Sequence, residues 1–294
     1  MAGVEPFLLA QQTHAAIRSR RWQVAVLPFG ATEPHNLHLP YGTDTFQVEA
    51  VARRACAWAF ERGAEVLLLP AVPFGVNSNH LQVPGGVALS LQPTTLYRIV
   101  ADLVDALERQ GIRKVVLVNG HGGNELKPVL RELYGRTRCF VCLCDWFRVA
   151  ADQYPRLFSC PGEHADEVET SMALAFFPEL VQMEAAGRGA ARPTRFQAIE
   201  QGWVTITRPW HLATADTGIG DPRAAHADKG RQLMAVLEER LGQFLLELAS
   251  TPLDETFPYA PETDERPHLI PQGSGWAQEP ANRPQAVDAA NPGD

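Results

Sequence analysis

The chain has 294 residues, 45% of them hydrophobic, and its 34 acidic against 26 basic side chains give a formal net charge of −8. That is ample apolar material for a substantial core. The acidic balance, with no block of Lys or Arg, excludes the electrostatic footprint of a nucleic-acid or anionic-membrane partner, and a small-molecule substrate is the expectation.

The first residues, MAGVEPFLLAQQTHAAIRSRRW, lack the charged start, long apolar stretch and small-residue cleavage site of a secretory signal. No window offers about 18 uninterrupted apolar residues, so a cytoplasmic location is expected. Five cysteines are sparse and odd in number, which favours reduced thiols over a disulfide framework.

In chain order, short apolar runs alternate with segments of helical periodicity, the pattern of βα units and a mainly parallel sheet. Residues 23–29 (QVAVLPF) read as the first buried strand, and 44–62 as the helix after it. A second strand is expected over 65–70 (EVLLLP), and a helix over 92–110, where LYRIVADLVDALERQ repeats its apolar residues at three and four and stops at Gly111. Strands over 113–118 and 138–144 flank a helix over 124–135. In the last strand Cys139, Cys142 and Cys144 read as small buried hydrophobes rather than metal ligands. Helices over 164–176 and 223–250 complete a single domain spanning 1–250. Residues 251–294, crowded with Pro, Gly and charge, are expected to be an irregular extension.

Polar groups directly after parallel strands converge on one crevice at the carboxyl edge of the sheet. After the first strand comes GATEPHNLHLPYGTD, which puts Glu33, His35, His38 and Asp44 in one loop. Glu33 and His35 are one residue apart, so an extended segment projects both to one side. Thr43 can cap the next helix, and Asp44 alone could simply complement its dipole; beside Glu33 and His35, a ligand role is the better reading. The third strand ends in VNGHGGNE, which brings His121 to the sheet mouth. A phosphate cradle is the weaker reading there, since the Walker lysine and hydroxyl are missing and the dinucleotide spacing does not fit. A third cluster, GEHADEVETS, offers Glu163, His164, Asp166, Glu167 and Glu169 ahead of an apolar run. An acidic, solvated helix start would be ordinary, but inward-facing carboxylates need a cation to compensate their burial.

Oxygen and imidazole ligands without thiolate suit Zn, Mn or Fe. Two such ions can share a hydroxide formed near neutral pH and polarise a carbonyl, which points to hydrolysis of an amide carbon–nitrogen bond. An isomerase or lyase acting on a sugar or keto acid, or a scaffold that binds metal without turnover, are the competing readings.

Five stretches carry a family resemblance: LPFGATEPHNLHLPYGTDT, PFGVNSNHLQVPGGVALS, VLVNGHGGNE, HADEVETSMAL and TGIGDPRAAHADKG. In this order and spacing they resemble the creatininase (creatinine amidohydrolase) family across most of residues 20–240. The resemblance implies a three-layer α/β/α sandwich with a mainly parallel sheet, two divalent ions, and hydrolysis of a carbon–nitrogen bond other than a peptide bond, creatinine being one candidate among lactams, formamides and related amides. It implies that Glu33 and His121 hold one ion, that His35 holds the other and that Asp44 bridges them. Creatinine amidohydrolase has a Glu two residues past the NGH histidine, where this chain has Gly123; Glu167 of HADE is therefore the implied fifth ligand. His164 is the implied proton-transfer residue, with Glu167 beside it in the catalytic set. Ser78, His80, Gly122 and Gly123 are the implied substrate contacts, although NSNH and PHN depart from the commoner family patterns. The family also implies a homo-oligomer, a hexamer being favoured.

Overall fold

The computed structural model describes residues 3–260. Chain contacts divide the protein into two units, residues 1–251 and 252–294. Of the second, the described residues 252–260 form turns in which Asp254 Oδ1 accepts hydrogen bonds from the Thr256 and Phe257 amides. The expected irregular extension otherwise lies outside the described residues.

The first unit is built on a parallel sheet in the order β2-β1-β3-β4, with β1 Val24–Phe29, β2 Val66–Leu68, β3 Lys114–Asn119 and β4 Phe140–Asp145. Strands β1 and β3 are buried throughout, as a sheet covered on both faces requires. Strand β4 is one of the two edges and is only partly buried. The expectation of a buried cysteine strand is corrected: Cys139, Cys142 and Cys144 are half-buried. Cys142 and Cys144 are free thiols, and burial pushes both up to about 12.

Five helices carry the layers: α1 Thr43–Glu61, α2 Pro93–Arg109, α3 Lys127–Leu133, α4 Glu167–Phe176 and α5 Ala227–Ser250. On one face Ala25, Leu27, Phe29, Val115 and Leu117 pack against Leu96, Val100, Val104 and Leu107 of α2 and Val129 and Leu133 of α3. Burial of each large side chain contributes about 1.5–3 kcal/mol. The other face is covered by α1, which touches β1, β2 and β3, and by α5, which packs along α1 and α4. The result is the three-layer α/β/α sandwich.

Boundaries shift for local reasons. Pro128 occupies the first turn of α3, so the helix expected from 124 starts at Lys127. The helix expected from 164 begins at Glu167 because the Asp166 carboxylate caps it, accepting from the Val168 and Glu169 amides at 2.9 and 3.0 Å. Among the described residues no helix is long and apolar enough to cross a membrane.

Candidate metal centre

The carboxyl ends of β1, β2 and β3 open on one crevice, and the loops that leave them bring the titratable groups together. Glu33 and His35 lie on the β1-to-α1 connection, which His35 and Leu39 close by an antiparallel bridge. Asp44 stands in the first turn of α1, behind Thr43, whose hydroxyl donates to Pro40 O at 2.6 Å. His121 follows β3 on a turn held by asparagines: Asn119 Oδ1 accepts from the His121 amide, and Asn124 Nδ2 donates to Gly30 O. His164 and Glu169 come from the start of α4. Glu33 and His35 are fully buried, Asp44 is 2% exposed, and His121 and His164 are each 7% exposed. Asp44 is thus buried at the helix start, among the same histidines.

Three imidazoles share one arrangement. His35 Nδ1 lies 3.0 Å from Glu33 O, His121 Nε2 lies 3.2 Å from Val76 O, and His164 Nε2 lies 3.0 Å from Pro34 O. A backbone carbonyl only accepts, so each of these nitrogens carries a proton, and the other ring nitrogen of each is the one that can bind metal once the ring is neutral. Those second nitrogens point at carboxylates. His35 Nε2 is 3.0 Å from Asp44 Oδ1, His121 Nδ1 is 3.1 Å from both Glu33 Oε1 and Asp44 Oδ2, and His164 Nδ1 is 3.8 Å from Glu33 Oε1. A ring held through one nitrogen by a carbonyl, with the other aimed at acidic oxygens, is the geometry that orients metal-ligating histidines.

Three groups bring their ligand atoms within 4.8 Å of one another: Glu33, Asp44 and His121; His35, Asp44 and Glu169; and Glu33, His35 and His164. Both Glu33 carboxylate oxygens and Asp44 Oδ2 are buried without an aligned hydrogen-bond partner. His80 Nδ1, though 2.8 Å from Glu33 Oε2, is equally unaligned. Such oxygens are costly unless a cation satisfies them. The donor set therefore fits divalent metal.

The electrostatics agree. Burial opposes charge on His35, but Asp44, Glu169 and Glu33 outweigh it and push this imidazole up to about 10. His121 is held well above its ordinary value against the same burial by Glu33 and Asp44. Burial pushes Glu169 up to about 8 even beside His35. His164 goes the other way: burial and the neighbouring His35 press it down to about 3, so the ring stays neutral. Without cations, then, the cluster keeps protons that metal would displace.

Two expectations meet different outcomes in this geometry. Glu167, the implied fifth ligand and catalytic partner, is fully buried but points away from these groups. Its Oε1 pairs with Lys229 of α5, and its Oε2 accepts from the Ser159 and Cys160 amides at 2.8 and 2.6 Å. Glu169 occupies the place beside His35 and Asp44 instead, with Oε2 accepting from the Ala165 amide. His38 also stands outside the three groups, its Nε2 bonded to Thr170 Oγ1 at 2.8 Å.

The creatininase (creatinine amidohydrolase) family model matches residues 10–245. The chain belongs to the creatininase family. It is 30% identical over 222 residues to a mycofactocin precursor peptide peptidase of Mycobacterium tuberculosis, covering 72% of this chain and 80% of that one. Its fold is similar to the crystal structure of a candidate creatinine amidohydrolase from Bacteroides fragilis, with a TM-score of 0.79 and 32% identity over 85% of this chain and 99% of the other. It is likewise similar to a variant creatininase of Zn–Zn type, with a TM-score of 0.67 and 25% identity over 83% of this chain and 99% of the other. The chain is thus a creatininase-family hydrolase.

The crevice widens above the cluster into a cavity of about 900 Å³ that Ser78, His80, Gly122 and Gly123 all line. Gly123 has no room for a side chain, because a Cβ there overlaps His121 Nε2 and Val76 O, whereas one on Gly122 meets only open space. The turn that aims His121 is therefore incompatible with an acidic residue at position 123. Sequence reading missed the aromatic wall. Trp210 stacks on His80 with ring centroids 4.7 Å apart and stands 4.7 Å from His164, and Tyr97, Trp146 and Tyr154 line the same cavity. No metal-ligand spacing marks these residues, and Trp210 lies far along the chain from the histidines it covers.

Proposed function

We propose that this protein is a binuclear metal-dependent amidohydrolase in which Glu33 and His121 hold one divalent ion (Zn, Mn or Fe), His35 and Glu169 hold the second, and Asp44 bridges them. The observation that carries this reading is the division of the Asp44 carboxylate, with Oδ1 turned to His35 and Oδ2 to His121. Bound ions of this kind act as Lewis acids that polarise a carbonyl and make water acidic near neutral pH.

The chain's own residues supply the rest. His164 commits its Nε2–H to Pro34 O, so Nδ1 is the atom that takes a proton from the attacking water and returns it to the leaving nitrogen. His80, clamped by Trp210, braces the Oε2 side of Glu33. Ser78, Gly122 and Gly123 line the cavity in which substrate rests. The substrate is a small cyclic or linear amide. A cavity of about 900 Å³ sits at the upper end of ligand-site volumes, which favours a linear or peptide-like amide over a lone creatinine-sized ring.

Turnover of an amide panel in oxygen-18 water tests the reaction. Label in the product carboxyl, lost with a chelator and regained with zinc or manganese, is expected; turnover without label would contradict hydrolysis.

The same reading includes a cytoplasmic homo-oligomer, with a hexamer favoured. Phe196 and Trp203, 65% and 71% exposed, support self-association, which light scattering on the purified protein tests.

A further inference from the structure

The cavity above the metal cluster is strongly asymmetric in charge. Glu125 and Glu163 line its outer part, Glu33, Asp44 and Glu169 its floor, and Arg208 is the one Lys or Arg among the described residues that line it. The guanidinium stands 5.5 Å from the Trp210 ring centroid, and that indole in turn lies 4.7 Å from both His80 and His164. Arg208 is thus set one indole beyond the residues that face the reacting bond. Its partner is Glu163, 2.7 Å away through Nη2. Glu163 immediately precedes His164, and its side chain is 62% exposed against 40% for Arg208. An ion pair this exposed is worth little. A carboxylate from a ligand can therefore replace Glu163 at small cost, and a guanidinium is the group that binds a carboxylate bidentately.

We infer that Arg208 selects the substrate: the amide this enzyme hydrolyses carries a free carboxylate, which displaces Glu163 and docks on Arg208 while the scissile carbonyl lies over the Glu33, Asp44 and His121 floor. This deepens the amidohydrolase reading and rests on it. The aromatic wall of Trp146, Tyr154 and Trp210 takes the apolar part of such a molecule. Arg208 acts on binding and not on bond cleavage, so its removal raises KM for acidic substrates.

The test is direct binding, which needs no turnover and so separates this inference from the hydrolase reading. Calorimetry on the zinc-loaded protein compares N-acetyl-L-phenylalanine with its neutral carboxamide for the wild type, R208M and E163Q. The expected result is at least tenfold tighter binding of the acid, a preference lost in R208M, and a severalfold further gain for the acid in E163Q, where the competing carboxylate is gone. A preference that survives R208M would place the carboxylate on the metal, and equal weakening of acid and carboxamide would make Arg208 a mere latch for its segment. Either result overturns the inference, as does absence of binding by both probes. Zinc content measured on each variant shows that the metal floor is intact.

Discussion

Glu167 and Glu169 stand two positions apart at the start of one helix and face opposite directions, the first toward Lys229 and the second toward His35 and Asp44. Two residues correspond to about 200° of helical rotation, so only one of the pair can face the crevice. The Asp166 cap sets which one, since it fixes where the helix starts.

Glu169→Gln is therefore expected to lose one ion per chain with little change in folding stability, and Glu167→Gln to keep both ions. The second variant breaks a buried carboxylate from Lys229 and two amides, a loss of about 2–3 kcal/mol in urea unfolding. Metal analysis and denaturation of both proteins decide the matter; loss of metal from Glu167→Gln at unchanged stability would reverse the assignment.

Gly123→Ala is expected to displace His121 and lower both metal content and stability, with overpacking costing about 1–3 kcal/mol. Gly122→Ala, whose Cβ meets nothing, should stay within about 0.5 kcal/mol of the wild type. Thermal unfolding of the two metal-loaded variants, side by side, makes the comparison, and equal behaviour would show that the turn yields easily.

Metal loading is expected to release protons. In the metal-free site His35, raised to about 10, and Glu169, raised to about 8, still hold protons at neutral pH, and coordination requires both to be bare. Apparent affinity then rises with pH until those values are passed, by about tenfold per pH unit for each proton released. Calorimetric titration in two buffers of different ionisation enthalpy counts the protons; a buffer-independent heat would contradict the expectation.

The layers were legible in the sequence because β1 and β3 are buried on both faces and read as unbroken apolar runs, while the covering helices keep their three- and four-residue spacing. Convergence of Glu33, His35, Asp44 and His121 followed from strand-end topology, with burial adding what sequence could not supply. The choice between Glu167 and Glu169 hinged on a cap, because the two lie about 200° apart around the helix and only its local start fixes which of them faces the crevice. The edge position of β4 depends on strand order, which its own Cys-rich run does not encode. Arg208 and Trp210 reach the cavity by a long, irregular path from the α4 start, so no local pattern announces them.

Lys114 offers a control away from the metal. Its ammonium donates to the carbonyls of Leu248, Ala249 and Thr251 at 2.7, 3.2 and 2.5 Å, capping the end of α5. Lys114→Met leaves these carbonyls unpaired and is expected to cost about 2 kcal/mol in unfolding free energy with metal content unchanged. Loss of metal would instead show that α5 governs the site through its packing on α4.

The most direct measurement is metal stoichiometry of the wild type and Asp44→Ala, purified under identical conditions and analysed by mass spectrometry of the elements. Two ions per chain in the wild type and fewer than one in the variant are expected from a carboxylate shared between two sites. Retention of two ions by Asp44→Ala, or a single ion in the fully loaded wild type, would contradict the bridge.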